Sequence, residues 1–484
     1  MALDFKKRLL YALIGLYLIA MVICLLNDFY YIFLLPAVLG VLYCAFYHLE
    51  YLLLFAVAAT PLSLNLEEQE IAGVGLYLPT EPLLAGSMLL MFFKMLSNKS
   101  IDKRIFHHPI AYLLYIYLAW IALTCITSAY PIVSIKFLIT RLWFISTMFF
   151  LMTHMFQSPK RIWQFVLCYM FSLTAVIVYT VVRHSEYGFD KESAHWVMEP
   201  LFKDHTSYGA VLAMFTPMLL ALLSWRNMNL LLRVILSIAA IILIVGLVLS
   251  FTRAAWLSVV GAGGILVIML LKVQLRTLLL STALAGGMLV LAWDDIQVSL
   301  KGNKQESSDK LDEHVSSISN VSSDASNLER LNRWNCAMEM FYERPIVGWG
   351  PGTYQFVYAP FQRSGDRTII STNQGDGGNA HSEYLGPLCE QGVPGLLLFV
   401  ALLYMVSDLA FRLFYTLKTY HNKLMVAGAY LGLMTYFIHG TLNNYLDTDK
   451  ASVPFWGFIA ILVSLDLYHR QGEMPSPTTQ PQAR

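Results

Sequence analysis

Residues 230–270 read LLLRVILSIAAIILIVGLVLSFTRAAWLSVVGAGGILVIML and carry only two charged side chains, Arg233 and Arg253. A bilayer core takes about 20 apolar residues per helical crossing, so this stretch is long enough for two crossings that turn at residues 250–256. Arg253 stands in that turn, between the two apolar runs.

Outward from this pair, the rest of the chain has the same character. Of its 484 residues, 57% are hydrophobic and 13% charged, and the mean hydropathy is +0.56. Such a composition belongs to a chain solvated mostly by lipid. Further apolar runs begin near Leu9, Tyr30, Tyr51, Leu83, Ile110, Val133, Trp163, Thr206, Thr277, Val393, Leu424 and Val453. Pro36 and Pro61 interrupt two of them, so the expected fold is an all-α, polytopic transmembrane bundle of about 12 to 14 spans. The first run follows Lys6, Lys7 and Arg8 without a small-residue cleavage site, and is read as a retained anchor. The expected division is a transmembrane bundle over 1–293, an outer loop over 294–380, C-terminal spans over 381–470 and a cytoplasmic tail over 471–484.

A net charge of +1 points to no nucleic-acid partner; its distribution along the chain says more. With the N-terminus inside, Lys94, Lys99, Lys103, Arg104, Lys160, Arg161, Arg226, Arg233, Lys272, Arg276, Arg412, Lys418 and Lys423 fall in inner loops, as the positive-inside rule requires. The outer loops then hold Glu67, Glu68 and Glu70, residues 187–204, residues 294–380 and residues 443–450. Within 294–380, the Ser, Asp, Asn and Lys of 301–327 read as a flexible tether. Leu328, Leu331, Trp334, Ala337, Met338 and Phe341 then recur at helical spacing up to Pro345, predicting an amphipathic helix over 328–344. Five of the six cysteines lie in or beside apolar runs, so neither a disulfide framework nor a metal-binding C-x-x-C spacing is expected.

Three phrases can carry chemistry. Arg253 offers a forked guanidinium to an anion at the outer end of two spans. Arg141 lies about two turns inside its span, where an unpaired charge costs several kcal/mol, and so requires a partner or a water-filled cavity. His381, in GNAHSEYL, stands where a glycine-rich outer loop enters the next span, and a neutral imidazole there can take a proton from a hydroxyl. Glu383 and Glu390 are placed to orient it or to be satisfied by backbone at the helix start. The outer histidines are too scattered for a set such as H-E-x-x-H, and neither a P-loop nor G-x-S-x-G is present.

Together these phrases resemble the O-antigen ligase and O-antigen polymerase superfamily of membrane glycosyltransferases, which act on lipid-linked sugars. The matching pieces, in order, are FKDHTSY (202–208), SFTRAAW (250–256), ERLNRWNCAMEMFYERPIVGWG (329–350) and NAHSEYLGPLCEQGVPG (379–395). The resemblance covers roughly residues 201–398 and favours a ligase, because the outer segment before His381 is substantial. It implies a GT-C-like bundle in which His381 is the catalytic base and Arg253 and Arg330 hold the diphosphate of an undecaprenyl-diphosphate-linked glycan, with Arg141 and Arg333 as further ligands. Glu383, Tyr384 and His205 are the candidates for orienting or acceptor-site roles. It implies inverting transfer without metal or cofactor, a lipid A-core acceptor, surrounding membrane lipids, and a bacterial inner membrane with the site facing the periplasm. The sequence departs from the motif at Ser382, where relatives often carry Asn. Alternatives are a polymerase or protein O-oligosaccharyltransferase of the same superfamily and, in another class, a lipid-linked sugar transporter. Against the transporter, the two halves of the chain show no matching broken helices.

Overall fold

The computed structural model describes residues 2–65, 77–96, 101–277, 287–288, 325–363, 378–470 and 472. The expectations for Glu67, Glu68 and Glu70, for most of the tether 301–327 and for nearly all of the tail lie outside the described residues.

Two compact units divide the chain, Met1–Phe55 and Ala56–Arg484. The first contains α1 (Ala2–Leu26), a 3-10 turn (Tyr30–Leu34) and α2 (Leu35–Tyr47), with α3 (Leu49–Ala59) beginning in it. The Tyr17 hydroxyl donates to the Ile32 carbonyl at 3.3 Å. Leu16, Val22, Leu39, Leu42 and other apolar side chains of these helices are exposed, the pattern of a surface covered by lipid.

The second unit holds a short hairpin, β1 (Leu64–Asn65) with β2 (Tyr77–Leu78), and then helices throughout. They are α4 (Thr80–Leu96), α5 (Lys103–Phe106), α6 (Pro109–Ile126), α7 (Pro131–Phe144), α8 (Met152–Met155), α9 (Pro159–Glu186), α10 (His205–Leu223), α11 (Leu230–Leu249) and α12 (Arg253–Leu270). After these come α13 (Ala325–Glu343), α14 (Tyr354–Val357), α15 (Leu385–Thr416), α16 (Tyr420–His439) and α17 (Asp449–Tyr468). Proline opens α6, α7 and α9, where a missing N–H is harmless. Side chains of Asp204 and Asn229 cap α10 and α11. Helix α17 is buried almost all round and packs on α16, which in turn packs most extensively on α10 and on α12. A helix apolar on every face belongs in the middle of the bundle.

Among the described residues, nine helical stretches are long and apolar enough to cross a membrane, so the helical polytopic bundle expected from the sequence is what the chain forms. The other expected spans take helical form too where they are described. The run at Leu83 becomes α4 and that at Tyr51 the short α3; the run at Leu424 becomes α16, which carries His421, Asn422 and Lys423 in its first turn. The amphipathic helix runs Ala325–Glu343.

Charged side chains gather at one end of the second unit. There Asp102 binds Arg104 and Tyr468, and Asp466 pairs with Arg412 at 3.8 Å and with Arg470. The opposite helix ends bring together residues 199–205, 250–253, 329–334, 378–384 and 439–450, all from loops read as outward.

The backbone break that makes this second end possible lies in α15. Gly392 takes φ 71° and ψ −171°, a region open essentially to glycine alone, and it splits the helix into a short outer and a long inner piece. Carbonyls freed by the break find donors: Trp349 N–H reaches Cys389 O at 3.1 Å, Gly350 N–H reaches Glu390 O at 2.8 Å, and the Trp120 indole reaches Gln391 O at 2.9 Å. Val393 N–H returns to Pro345 O at 2.9 Å. Broken helices survive near lipid only when such groups are satisfied inside the protein.

Gly392→Ala is expected to destabilise the protein by about 1–3 kcal/mol, because a Cβ there meets the Ile346 carbonyl and the backbone conformation itself is strained. The check is the unfolding temperature in detergent; an unchanged value would show that the break is not held as described.

Candidate active site

Two buried carboxylates at the head of α15 assemble the site. Glu390 is buried, and its two oxygens accept from Gly352 N–H and Tyr354 N–H, each at 2.9 Å. That docks the segment 345–354 against the break. The segment threads past residues 128–134 so closely that Gly350, at φ 110°, has no room for a Cβ beside Ser128. Glu383 does the same for the loop between α16 and α17: its Oε1 accepts from Tyr445 N–H at 2.9 Å, from Leu446 N–H at 3.0 Å and from the Tyr436 hydroxyl. Its own N–H donates to Gly440 O at 2.7 Å. The alternative that acids at this position are satisfied by backbone therefore describes both residues.

His381 stands two residues before Glu383, on the approach to α15. Its φ of 48° is left-handed, uncommon outside glycine, and is supported by its N–H donating to Asn379 Oδ1 at 3.0 Å and by the Trp334 indole donating to its carbonyl at 3.4 Å. The Asn443 side chain accepts a hydrogen bond from the imidazole. Ser382, where the motif departs from its relatives, turns its hydroxyl to Tyr384 N–H at 3.2 Å and Leu385 N–H at 3.3 Å and so caps α15. Burial first, then the nearby Arg330 and Arg333, lower the His381 pKa to about 4. Both causes disfavour a second positive charge, so the imidazole is neutral at physiological pH.

The arginines are not equivalent. Arg330, on α13, acts electrostatically on His381, His205, His439 and Tyr445 at once. Arg333, one turn on, donates to Glu329 at 2.9 Å in a buried pair, reaches Asn379 O at 3.5 Å and lies over the Tyr358 ring at 4.8 Å. It braces the strand that carries His381. Arg253 opens α12, half-buried, next to Thr252, whose hydroxyl donates to the His205 carbonyl at 2.8 Å. His205 begins α10 and stacks on His195 with ring centroids 4.2 Å apart. Tyr384 turns away to donate to Phe437 O at 3.1 Å. Arg141 is 5% exposed, donates to Leu446 O at 2.5 Å and lies 4.9 Å from the Phe137 ring. The π-helical stretch Ile145–Leu151 follows it, buried throughout.

Two adjoining cavities open here. One, of about 270 Å³, is lined by His381 together with Lys203, Asp204, Tyr445, Asp447 and Lys450. The other, of about 210 Å³, is lined by Arg141, Tyr117, Glu383, Glu390, Gln391 and Asp447. They share Lys203, Gly378, Asn379, Asn444 and Asp447. Asp447 stands in the cavity space, and burial, then Glu383, raises its pKa to about 6 against the pull of Arg141 and Lys203. Sequence reasoning singled out His381, Arg330, Arg253, Arg141 and Arg333 but gave no role to Asn443, Asn444, Asp447, Lys203 or Gln391. The signal for most of them was the polar run in 443–450 between two spans; Gln391 had none, since only the break in α15 exposes it.

Residues 238–400, a third of the chain, match the model of the family described as O-antigen ligase. The match runs through the Arg253 turn, α13 and the His381 entry into α15, and it supports the O-antigen ligase-type superfamily for this chain. Members of that family are glycosyltransferase-like membrane enzymes that act on lipid-linked glycans, and the apolar helices of this chain are those of a multi-pass membrane protein. No curated protein matches the chain at a significant level.

Glu383→Leu is expected to leave the buried Leu446 amide without an acceptor and the Tyr445 amide with the Tyr436 hydroxyl at 3.0 Å alone, at a cost of about 1–3 kcal/mol. Unfolding temperature should fall and protease nicking within 440–448 should accelerate, with Glu383→Gln intermediate because one acceptor oxygen remains. Equal stability of all three proteins would refute the pinning role.

Proposed function

We propose that the chain is an O-antigen ligase: it transfers a glycan from undecaprenyl diphosphate to a sugar hydroxyl of lipid A core at the periplasmic face of the inner membrane, inverting the anomeric centre without a metal. The observation that best supports this is a neutral histidine held beside cationic side chains in a cavity at the ends of membrane helices. A neutral imidazole next to cations suits a reaction in which a hydroxyl loses a proton while an anion departs.

In this reading His381 takes the proton of the acceptor hydroxyl as its oxygen forms a bond to the anomeric carbon. The bond from that carbon to the diphosphate oxygen breaks, and its electron pair leaves with undecaprenyl diphosphate. Arg330 and Arg253 hold the departing charge. Arg333, already committed to Glu329 and Asn379, positions the His381 strand. Donor binding also readies the base: an anion beside Arg330 offsets the positive field that depresses the imidazole, raising its basicity when substrate is present.

The test is transfer by the purified protein in detergent, with undecaprenyl-diphosphate glycan, rough lipopolysaccharide and a chelator. His381→Ala should lower kcat by about 10²–10⁴-fold, and Arg330→Gln by about 10²–10³-fold, with folding intact. Lengthening of the lipid-linked glycan with lipopolysaccharide untouched would replace this reading with a polymerase, and absence of any transfer would bring the transporter forward.

The pH profile supplies an independent check. Because the fold lowers the His381 pKa from 6.5 to about 4, the neutral base persists in acid and the acid limb of kcat/KM should lie below 6.5. Arg330→Gln removes a depressing charge, so that limb should move to higher pH. A limb that stays fixed would exclude His381 as the titrating base.

A further inference from the structure

The two cavities differ in ways that bear on which substrate each one takes. His381 lines the larger, within the field of Arg330; Arg141 lines the smaller. The smaller chamber carries three carboxylates, Glu383, Glu390 and Asp447, against Arg141 and Lys203, a balance that disfavours a diphosphate.

Its unsatisfied atoms are more specific. Among the described residues, Arg141 Nε, Gln391 Oε1 and Asn444 Oδ1 are buried atoms that lack a hydrogen-bond partner, and all three residues line this chamber. One is a donor and two are acceptors. A phosphate oxygen, which only accepts, would answer Arg141 and leave both carbonyl oxygens unpaired. Sugar hydroxyls both donate and accept, and so complement all three. Tyr117, Phe137 and Phe399 add aromatic walls to a cavity of about 210 Å³, the scale of one sugar ring rather than a polymer. A small neighbouring cavity that shares Tyr117, Phe399 and Leu446 with it is lined mostly by apolar side chains, among them Leu113, Leu114, Leu398 and Leu402.

We propose that the Arg141 chamber is the acceptor subsite, holding the single sugar residue whose hydroxyl is glycosylated, with Arg141, Gln391 and Asn444 as its hydrogen-bonding residues. This rests on the ligase reading and reassigns Arg141 from the diphosphate, the role the family resemblance implied, to the acceptor sugar. The chambers join at Asn379, Asn444 and Asp447, so a ring in the smaller one presents a hydroxyl to His381 through that junction, while the diphosphate occupies the Arg330 side.

The experiment is steady-state kinetics of the purified full chain with undecaprenyl-diphosphate glycan and rough lipopolysaccharide varied in turn, for wild type, Arg141→Lys and Gln391→Leu. Gln391→Leu removes only an amide whose oxygen is unpaired, so its unfolding temperature should match wild type and it guards against misfolding of the Arg141 variant. Each substitution should raise the acceptor KM about tenfold, the loss of one good hydrogen bond, and leave the donor KM unchanged. A wild type that ligates while the variants raise the donor KM, or shift neither constant, overturns the acceptor subsite and leaves the ligase reading standing. A wild type that does not modify lipopolysaccharide overturns both.

Discussion

Backbone amides that leave helical geometry next to lipid must be satisfied by the protein itself, and this requirement shapes the outer end of the molecule. Glu383 and Glu390, one on the approach to α15 and one just before its break, each accept two amide hydrogens from a different non-helical segment. Between them they fasten residues 352–354 and 445–446 to a single helix end. The segment 378–382, which includes the left-handed His381, leads directly into the first of these anchors. Glu383, held by two backbone amides, anchors the chain two residues after the histidine.

The electrostatic arrangement is graded. Positive charge enters from α13 through Arg330 and Arg333, and the imidazole answers by staying neutral. Arg333 spends its guanidinium on Glu329 and Asn379 and gives rigidity, whereas Arg330 influences four titratable groups, of which His381 and Tyr445 line the larger cavity. Asp447 stands where the two chambers meet, its charge opposed by Glu383 and supported by Arg141 and Lys203. A site with a charge balance of this kind responds to the arrival of an anion.

Arg141 shows how a buried cation is tolerated. It gives one bond to the Leu446 carbonyl, rests on the Phe137 ring, and faces cavity space rather than lipid. The π-helical residues that follow it widen α7 at that depth, a distortion often found beside functional sites. The loop that receives its hydrogen bond is the one pinned by Glu383, so the two chambers share a wall and a fastening.

Much of this was legible in the residues alone. Long apolar runs with charge confined between them dictate membrane helices, because lipid tolerates no unpaired backbone; the turn at Arg253, the depth of Arg141 and the polar entry at His381 follow from position along those runs. The helical periodicity after residue 328 likewise announced α13. Tertiary structure alone decided the rest. That α15 breaks at Gly392, that Glu383 and Glu390 serve backbone amides, that Asn443 hydrogen-bonds the histidine, and that Arg141 and His381 line separate chambers all depend on segments tens to hundreds of residues apart. Local sequence carries periodicity and charge, but which amide a carboxylate will satisfy is settled only when the distant chain has packed against it.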